Sequence, residues 1–425
     1  MFEKIQKLLK AENIENWRLT ETVSETAELY FIRKKLDIPR IKKLTQYSVT
    51  VFRDFEEGGK KFRGESTALL SPGMSDEEIV SHLKTAYLAA SFVRNPWYEL
   101  PDAVKEDRKK SVSDLAGKDI EETAAELAKA MFEADTAEDA FINSAEIFVT
   151  RRYTHIAASN GLDVSFDSDV IDGELVSQCV TPIDVEQYRS FSYDSLDREA
   201  IKQKVSEAVT DVRARAQASE PPKAGDYDII LTGENLEVLF ELYAARSNAS
   251  MVFPGYSQWK AGDKVQGEDI EGEKLNVYLE PLDPYSPEGI PMKERCLMKD
   301  GELKLIYGST RMCRYLGIEP TGNFEKIRCV NGSVPLSGMR KAGVLELVSF
   351  SDFQMDEFDG HFKGEIRLGL LYGEDGTAQV LTGGSVNGSL LELQKKLTFS
   401  TERCEDRNYS GPMAVLIPGV AVAGK

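Results

Sequence analysis

Histidine is scarce. The 425 residues hold only His82, His155 and His361, all far apart, and the five cysteines, Cys179, Cys296, Cys313, Cys329 and Cys404, are scattered with no CxxC pair. An odd, dispersed set of thiols excludes a disulfide framework and fits reduced cysteines in a cytoplasm, while so few clustered ligands argue against a structural zinc site. Long apolar runs are missing too. No stretch approaches the about 18 residues that a membrane span needs, and the N-terminal MFEKIQKLLKAENIENW is an amphipathic helix pattern with Phe2, Ile5, Leu8 and Leu9 on one side, not a signal peptide. The expectation is a cytoplasmic protein. No GxSxG elbow occurs, and the Gly-rich run Thr382–Ser389 lacks the lysine of a P-loop, so it is expected to be a capped turn leading into a helix over Leu390–Lys396. Positive charge is in short supply: 52 Lys and Arg face 71 Asp and Glu, a net charge of −19. That balance favours solubility and opposes direct nucleic-acid binding. The basic groups Lys34, Lys35, Arg40, Lys42, Lys43 and Arg108, Lys109, Lys110 read as solvated faces.

What is present is ordinary globular material, 41% hydrophobic and 29% charged, long enough for two domains. Alternation predicts antiparallel strands over Glu28–Lys34, Leu44–Phe55 and Phe62–Leu70, with a hairpin turn at Glu56–Lys61. Ser75 with Glu78, and Asp119 with Glu122, read as capping boxes that open helices whose apolar stripes are Ile79, Leu83, Ala86, Ala90 and Ile120, Ala124, Leu127, Met131. Ala145–Val180 returns to strand, with Asn160-Gly161 as a type I′ hairpin candidate, and places Arg151 and His155 on one strand face and Arg152 on the other. A helix over Leu196–Ala218 ends in the linker Ser219–Gly225, giving an N-terminal domain over 1–218 and a C-terminal domain over 226–425. The second domain opens with a short apolar strand around Ile229–Leu231 and a helix from about Glu234 to Ser247, built on Leu236, Leu239, Leu242 and Tyr243. The fold class expected is α+β, with an antiparallel N-terminal sheet flanked by helices and a strand-rich C-terminal domain around that helix.

Several separated segments agree in order and spacing with one family. PEGIPMKERCLMKDGELKLIYGSTRMCRYLGIEPTGN (Pro287–Asn323), Leu345–Glu374, the closing LIPGVAVAGK, and SPGMSDEEI in the first half resemble the PmbA/TldD family, known as modulators of DNA gyrase and as TldD/TldE metallopeptidases. TldD-type members carry HExxxH on the helix that follows the short strand. Superposing that strand puts Glu241 and Arg246 at the two histidine positions and Leu242 at the catalytic glutamate; sliding by one residue puts Phe240 and Ala245 there instead. A guanidinium is permanently charged and has no lone pair for zinc. The resemblance therefore implies a PmbA/TldE-type, non-catalytic subunit of a system that cleaves unstructured polypeptides, with zinc supplied only by a TldD-like partner and no cofactor of its own. Where the family has a TGDFS-like turn, this chain has Asp359-Gly360-His361-Phe362-Lys363, and His361 replaces the usual acid. Cys404 lies near the place where a TldD-type chain is expected to supply a cysteine ligand, but acidic neighbours would raise its pKa. The acids around Asp352, Asp356, Glu357 and Asp359 fit no EF-hand spacing. A different reading from the same residues is a homodimeric module that binds peptides or another ligand without catalysis.

Overall fold

Alternating polar and apolar residues make the first half a sheet with one covered face. The structure, a computed structural model describing Met1–Lys425, has six antiparallel strands here: β1 (Asn16–Ile32), β2 (Lys35–Glu57), β3 (Lys60–Leu70), β4 (Ala140–Ala158), β5 (Asp163–Cys179) and β6 (Val185–Tyr193). Their order is β3-β2-β1-β4-β5-β6. Four helices, α1 (Phe2–Ala11), α2 (Asp76–Ala90), α3 (Ile120–Ala134) and α4 (Arg198–Gln217), cover one face. Ile5, Leu9, Ile79 and Leu83 pack on Val49 and Val51 under α1 and α2. Leu127, Met131, Val205 and Val212 pack on Ile147, Val149 and Ile171 under α3 and α4. Ser75 and Glu78 form the expected reciprocal cap of α2. At α3, Asp119 accepts from the N–H groups of Glu121 and Glu122, so the carboxylate of Glu122 does not close a box.

The turns follow backbone chemistry closely. The β2–β3 hairpin turns at Gly58 and Gly59, both at positive φ. Between β4 and β5, only Gly161 has positive φ, and the loop closes through the N–H of Gly161 to Ala158 and of Ala158 to Leu162. A type I′ turn needs two left-handed residues, so the Asn160-Gly161 expectation is corrected: the hairpin exists, with a longer loop.

The second half contains two further sheets. One has the order β10-β9-β8-β11-β18-β17, from β8 (Val277–Glu280), β9 (Arg295–Lys299), β10 (Glu302–Leu303), β11 (Lys326–Cys329), β17 (Arg403–Glu405) and β18 (Tyr409–Pro412). The other runs β12-β7-β19-β15-β13-β14, from β7 (Gly225–Thr232), β12 (Leu345–Met355), β13 (His361–Tyr372), β14 (Ala378–Leu381), β15 (Ser385–Ser389) and β19 (Ala414–Ala423). A short β16 (Thr398–Phe399) joins β19. Because β12 also pairs with β13, the strands β12-β7-β19-β15-β13 close into a ring. Closure removes sheet edges. One expectation changes here. Ser385–Ser389 of the Gly-rich run is strand, with the turn confined to the residues before it. Asp300 and Gly301, at φ 51° and 79°, form the tight hairpin between β9 and β10.

Helix α5 (Asn235–Ser247) sits between the ring and the other sheet, against β7, β12 and β11. Its Leu236, Leu239, Phe240, Leu242 and Tyr243 are fully buried in a core shared by both sheets. Phe240 stacks 5.8 Å from Tyr409 and meets Phe399 edge-on. No helix of the chain is long and apolar enough to cross a membrane.

Candidate functional site

Helix α5 forms because apolar residues recur three and four apart, and it stops where Asn248 leaves helical geometry to cap α6 (Ala249–Val252), its side chain accepting from the N–H of Ser250. The N–H of Ala249 then donates to the carbonyl of Tyr307 at 2.7 Å. The apolar stripe is wide enough to leave one strip of polar positions, exposed at Glu234 and Glu241 and half-buried at Glu237. These acids share a helix face by their spacing.

All five residues singled out from the sequence gather at the turn between β12 and β13. Arg246 donates from Nη1 to the carbonyl of Glu357 at 3.1 Å and also to that of Phe358, and its guanidinium lies 4.9 Å over the ring of Trp259. Leu242 is buried beneath the turn, where a Cβ placed on Gly360 would lie 3.3 Å from it and 2.6 Å from Leu391. Gly360 has φ +77°, so this close approach and the left-handed backbone both require glycine. Asp359 accepts from the N–H of His361 at 3.0 Å and stands 3.1 Å from its Nδ1. That N–H, with the ring, holds the Asp359 carboxyl low. Glu241 keeps contact with solvent beside Glu357; the surrounding protein first, and the charge of Glu357 second, raise its carboxyl.

Electrostatics on this helix are one-sided. Burial, then Glu241 and Asp406, push the Glu237 carboxyl up to about 7. Burial likewise lowers the Arg246 guanidinium, opposed by Asp359. Buried Tyr307 is pushed up to about 12 by burial, while the side chain of Asn248 favours the ionised form. A cleft of about 430 Å³ runs along the turn, lined by Asp356, Glu357, Phe358, His361, Lys363 and Asn387 among others. Phe358 and Tyr256 meet edge-on 5.3 Å apart with more than half of each side chain exposed. Sequence reading missed Asn248, Tyr256 and Trp259, which follow α5 directly, and Tyr307, which comes from the loop after β10. No local spacing announces them.

Zinc chemistry needs His, Cys or carboxylate groups converging at short range. Nowhere in the chain do three such groups come together in a way that could hold a metal ion. At α5 the reason is visible: one position is a core leucine and another a guanidinium bound to two carbonyls. These residues do not fit the metal. Cys404, on β17, is a free thiol raised first by burial and further by Asp406 and Glu207, with Lys204 opposing.

The closed ring, the second sheet and the helix between them define a recognisable domain class. A family model described as PmbA/TldA metallopeptidase C-terminal domain matches residues 224–424. Over those residues the chain is similar to the PmbA/TldD family. Its fold extends over the full length: TldE from Thermococcus kodakarensis superposes with a TM-score of 0.80 at 15% identity, covering 99% of this chain and 100% of that one. A candidate modulator of DNA gyrase from Thermotoga maritima gives 0.77 at 16% identity, with 100% of both chains covered. Another from Bacteroides thetaiotaomicron gives 0.80 at 16% identity, covering 100% and 98%. A comparison with curated proteins finds no match.

Proposed function

We propose that this chain is a non-catalytic, TldE-like subunit of a TldD/TldE-type metallopeptidase that cleaves unstructured polypeptides, in which a TldD-like partner supplies zinc. In this reading residues 1–218 and 226–425 act as two domains joined at 219–225, and the protein works in the cytoplasm. The observation that carries the reading is the state of α5: where a metal-binding helix presents ligands, Leu242 is core and Arg246 is tied to the turn carbonyls. A guanidinium cannot coordinate zinc. What remains is surface, namely the exposed acids Glu234 and Glu241 and the aromatic pair Phe358 and Tyr256, which suits a wall of a shared cavity more than a reaction centre. The partner's zinc-bound water would carry the hydrolysis.

The test is reconstitution. Mixed with a zinc-bearing TldD-like subunit, the chain should yield peptidase activity that vanishes when the partner's zinc ligands are replaced and survives Glu241→Ala here. Loss of activity in an intact assembly carrying Glu241→Ala would contradict the assignment. A second reading, a homodimeric binding module without catalysis, draws on one specific observation, the far end of the β1–β2 ribbon, where β2 has lost its β3 neighbour and Ile32 and Ile38 are exposed.

A further inference from the structure

A single apolar ring left in water signals nothing, whereas rings gathered in one place mark a surface that something covers. The exposed Phe, Tyr and Trp side chains are Phe92, Trp97, Tyr188, Phe253, Tyr256 and Phe358. Most of them fall along one line. The loop after α2 carries Trp97 beside Tyr98, and Tyr98 meets Tyr315 edge-on at 6.0 Å. Tyr315, on α7 (Thr310–Leu316), donates from its hydroxyl to the carbonyl of Pro96 at 2.7 Å and lies 4.9 Å from Phe253. A turn through Pro254 and Gly255, the latter at φ 84°, then leads to Tyr256, which meets Phe358 of the β12–β13 turn. Segments far apart in the chain thus set out rings in succession from Trp97 in the first half to Phe358 in the second.

The end of this line is negative. At the β12–β13 turn Asp352, Asp356, Glu357 and Asp359 outnumber His361 and Lys363. Asp356 spends its carboxylate on the N–H of Phe358 at 2.8 Å, and Asp359 is engaged with His361. Glu357 is exposed and has no cation partner; beyond the effect of burial, its charge raises the Glu241 carboxyl and the Tyr307 hydroxyl. The chain's own cations already use rings nearby. Arg63 lies 5.0 Å over Trp97, and Arg246 lies over Trp259 while bonding the carbonyls of Glu357 and Phe358. No cation of the chain lies over Tyr256 or Phe358. A positive side chain from outside would find there what Arg246 finds within, ring faces and oxygen acceptors. Nucleic acid and anionic lipid surfaces are repelled by the same charge.

We propose, building on the peptidase reading, that an extended polypeptide lies along this line with a lysine or arginine side chain held by the rings of Phe358 and Tyr256 and the carboxylate of Glu357. Apolar residues of the same polypeptide cover Phe253 and Trp97. The surface therefore selects basic, aromatic-flanked segments over acidic ones.

Fluorescence anisotropy with the full chain alone tests this, using labelled Gly/Ser peptides of about 12 residues that carry a central Phe-Arg-Phe, Phe-Lys-Phe, Phe-Ser-Phe or Phe-Glu-Phe. The Arg peptide should bind at least about tenfold more tightly than the Glu peptide, with the Ser peptide between. Tyr256→Ala and Phe358→Ala should each weaken Arg-peptide binding about threefold, Phe358→Tyr should retain it and Phe358→Leu should lose it as Phe358→Ala does, all with unchanged circular dichroism. Glu357→Gln should also cost about threefold, whereas Glu77→Gln, the same loss of charge at an exposed position of α2, should leave binding as it is. Equal affinity for the four peptides, indifference to Phe358→Leu, or an equal loss from Glu77→Gln and Glu357→Gln would each overturn the proposal. Neither partner nor zinc is needed here. Reconstituted activity without this selectivity strikes the docking surface alone, and selective binding without reconstituted activity strikes the peptidase reading alone.

Discussion

The Arg151–His155 part of strand β4 and helix α5 both display charge, and they treat it in opposite ways. On β4, Arg151 binds Asp169 at 3.0 Å and donates to the carbonyls of Leu115 and Lys118, His155 stands 2.8 Å from Asp163 and stacks on Phe2, and Arg152 reaches Ser168 and Asp283. Every one of these side chains is used to hold the strand to its neighbours. On α5 no ion pair forms at all: Glu237 and Glu241 repel each other, and Arg246 spends its donors on backbone carbonyls. Charge matched within the chain is structural. Charge left unmatched on a rigid element is available for something outside it, and α5 presents that surplus without the ligands to hold a metal.

Substitutions can break this contrast, and the largest effect belongs to the core position. Leu242→Glu, which restores the acid expected of an active helix, buries a carboxylate among apolar side chains and should lower stability by about 3–5 kcal/mol. An unchanged urea midpoint would show that Leu242 is not in the core. Next comes a matched pair in the same half with one buried member. Glu346, 3% exposed, accepts 2.8 and 2.9 Å bonds from the exposed Arg340 and a bond from Tyr372. Glu346→Ala removes these bonds while the guanidinium keeps its access to water, and should cost about 2 kcal/mol, measured in the same way. Arg246→Ala frees the turn carbonyls and the Trp259 face at a partly exposed site, so the expected loss is about 1 kcal/mol. Hydrogen exchange should then rise around Glu357–Gly360 and not on β4.

The smallest effect is the pH dependence of α5. Glu237 titrates at about 7 in the folded chain, above an unfolded carboxyl. The native state therefore holds a proton that the unfolded state releases first, and the stabilisation is present at low pH and lost as pH rises from the unfolded value through about 7. Glu237→Gln should flatten that part of the stability profile and raise stability above about pH 7. A Gln variant with the wild-type slope would place the titrating group elsewhere.

Helices were legible because burial selects one stripe: the apolar positions foreseen for α2 and α3 are buried. Strands were legible only where the covered face is rich in large residues. β1 begins at Asn16, well before the expected Glu28, since Thr20, Thr22, Ser24 and Thr26 fill the bare face and only Leu19, Val23 and Ala27 punctuate the other. β6 gave no signal because its polarity is inverted, with Gln187 buried and Tyr188 exposed. At the site, the type of each residue was readable and its neighbours were not. Arg246 meets Glu357 and Phe358 across more than a hundred residues of chain, a contact set by ring closure and not by any local pattern.

Metal content of the chain purified without chelator, followed by a peptidase assay on the same sample, bears most directly on the disarmed helix. Zinc well below one equivalent and no cleavage by the chain alone are the expected results. Stoichiometric zinc that disappears with Glu241→Ala, together with proteolysis by the isolated chain, would contradict the account.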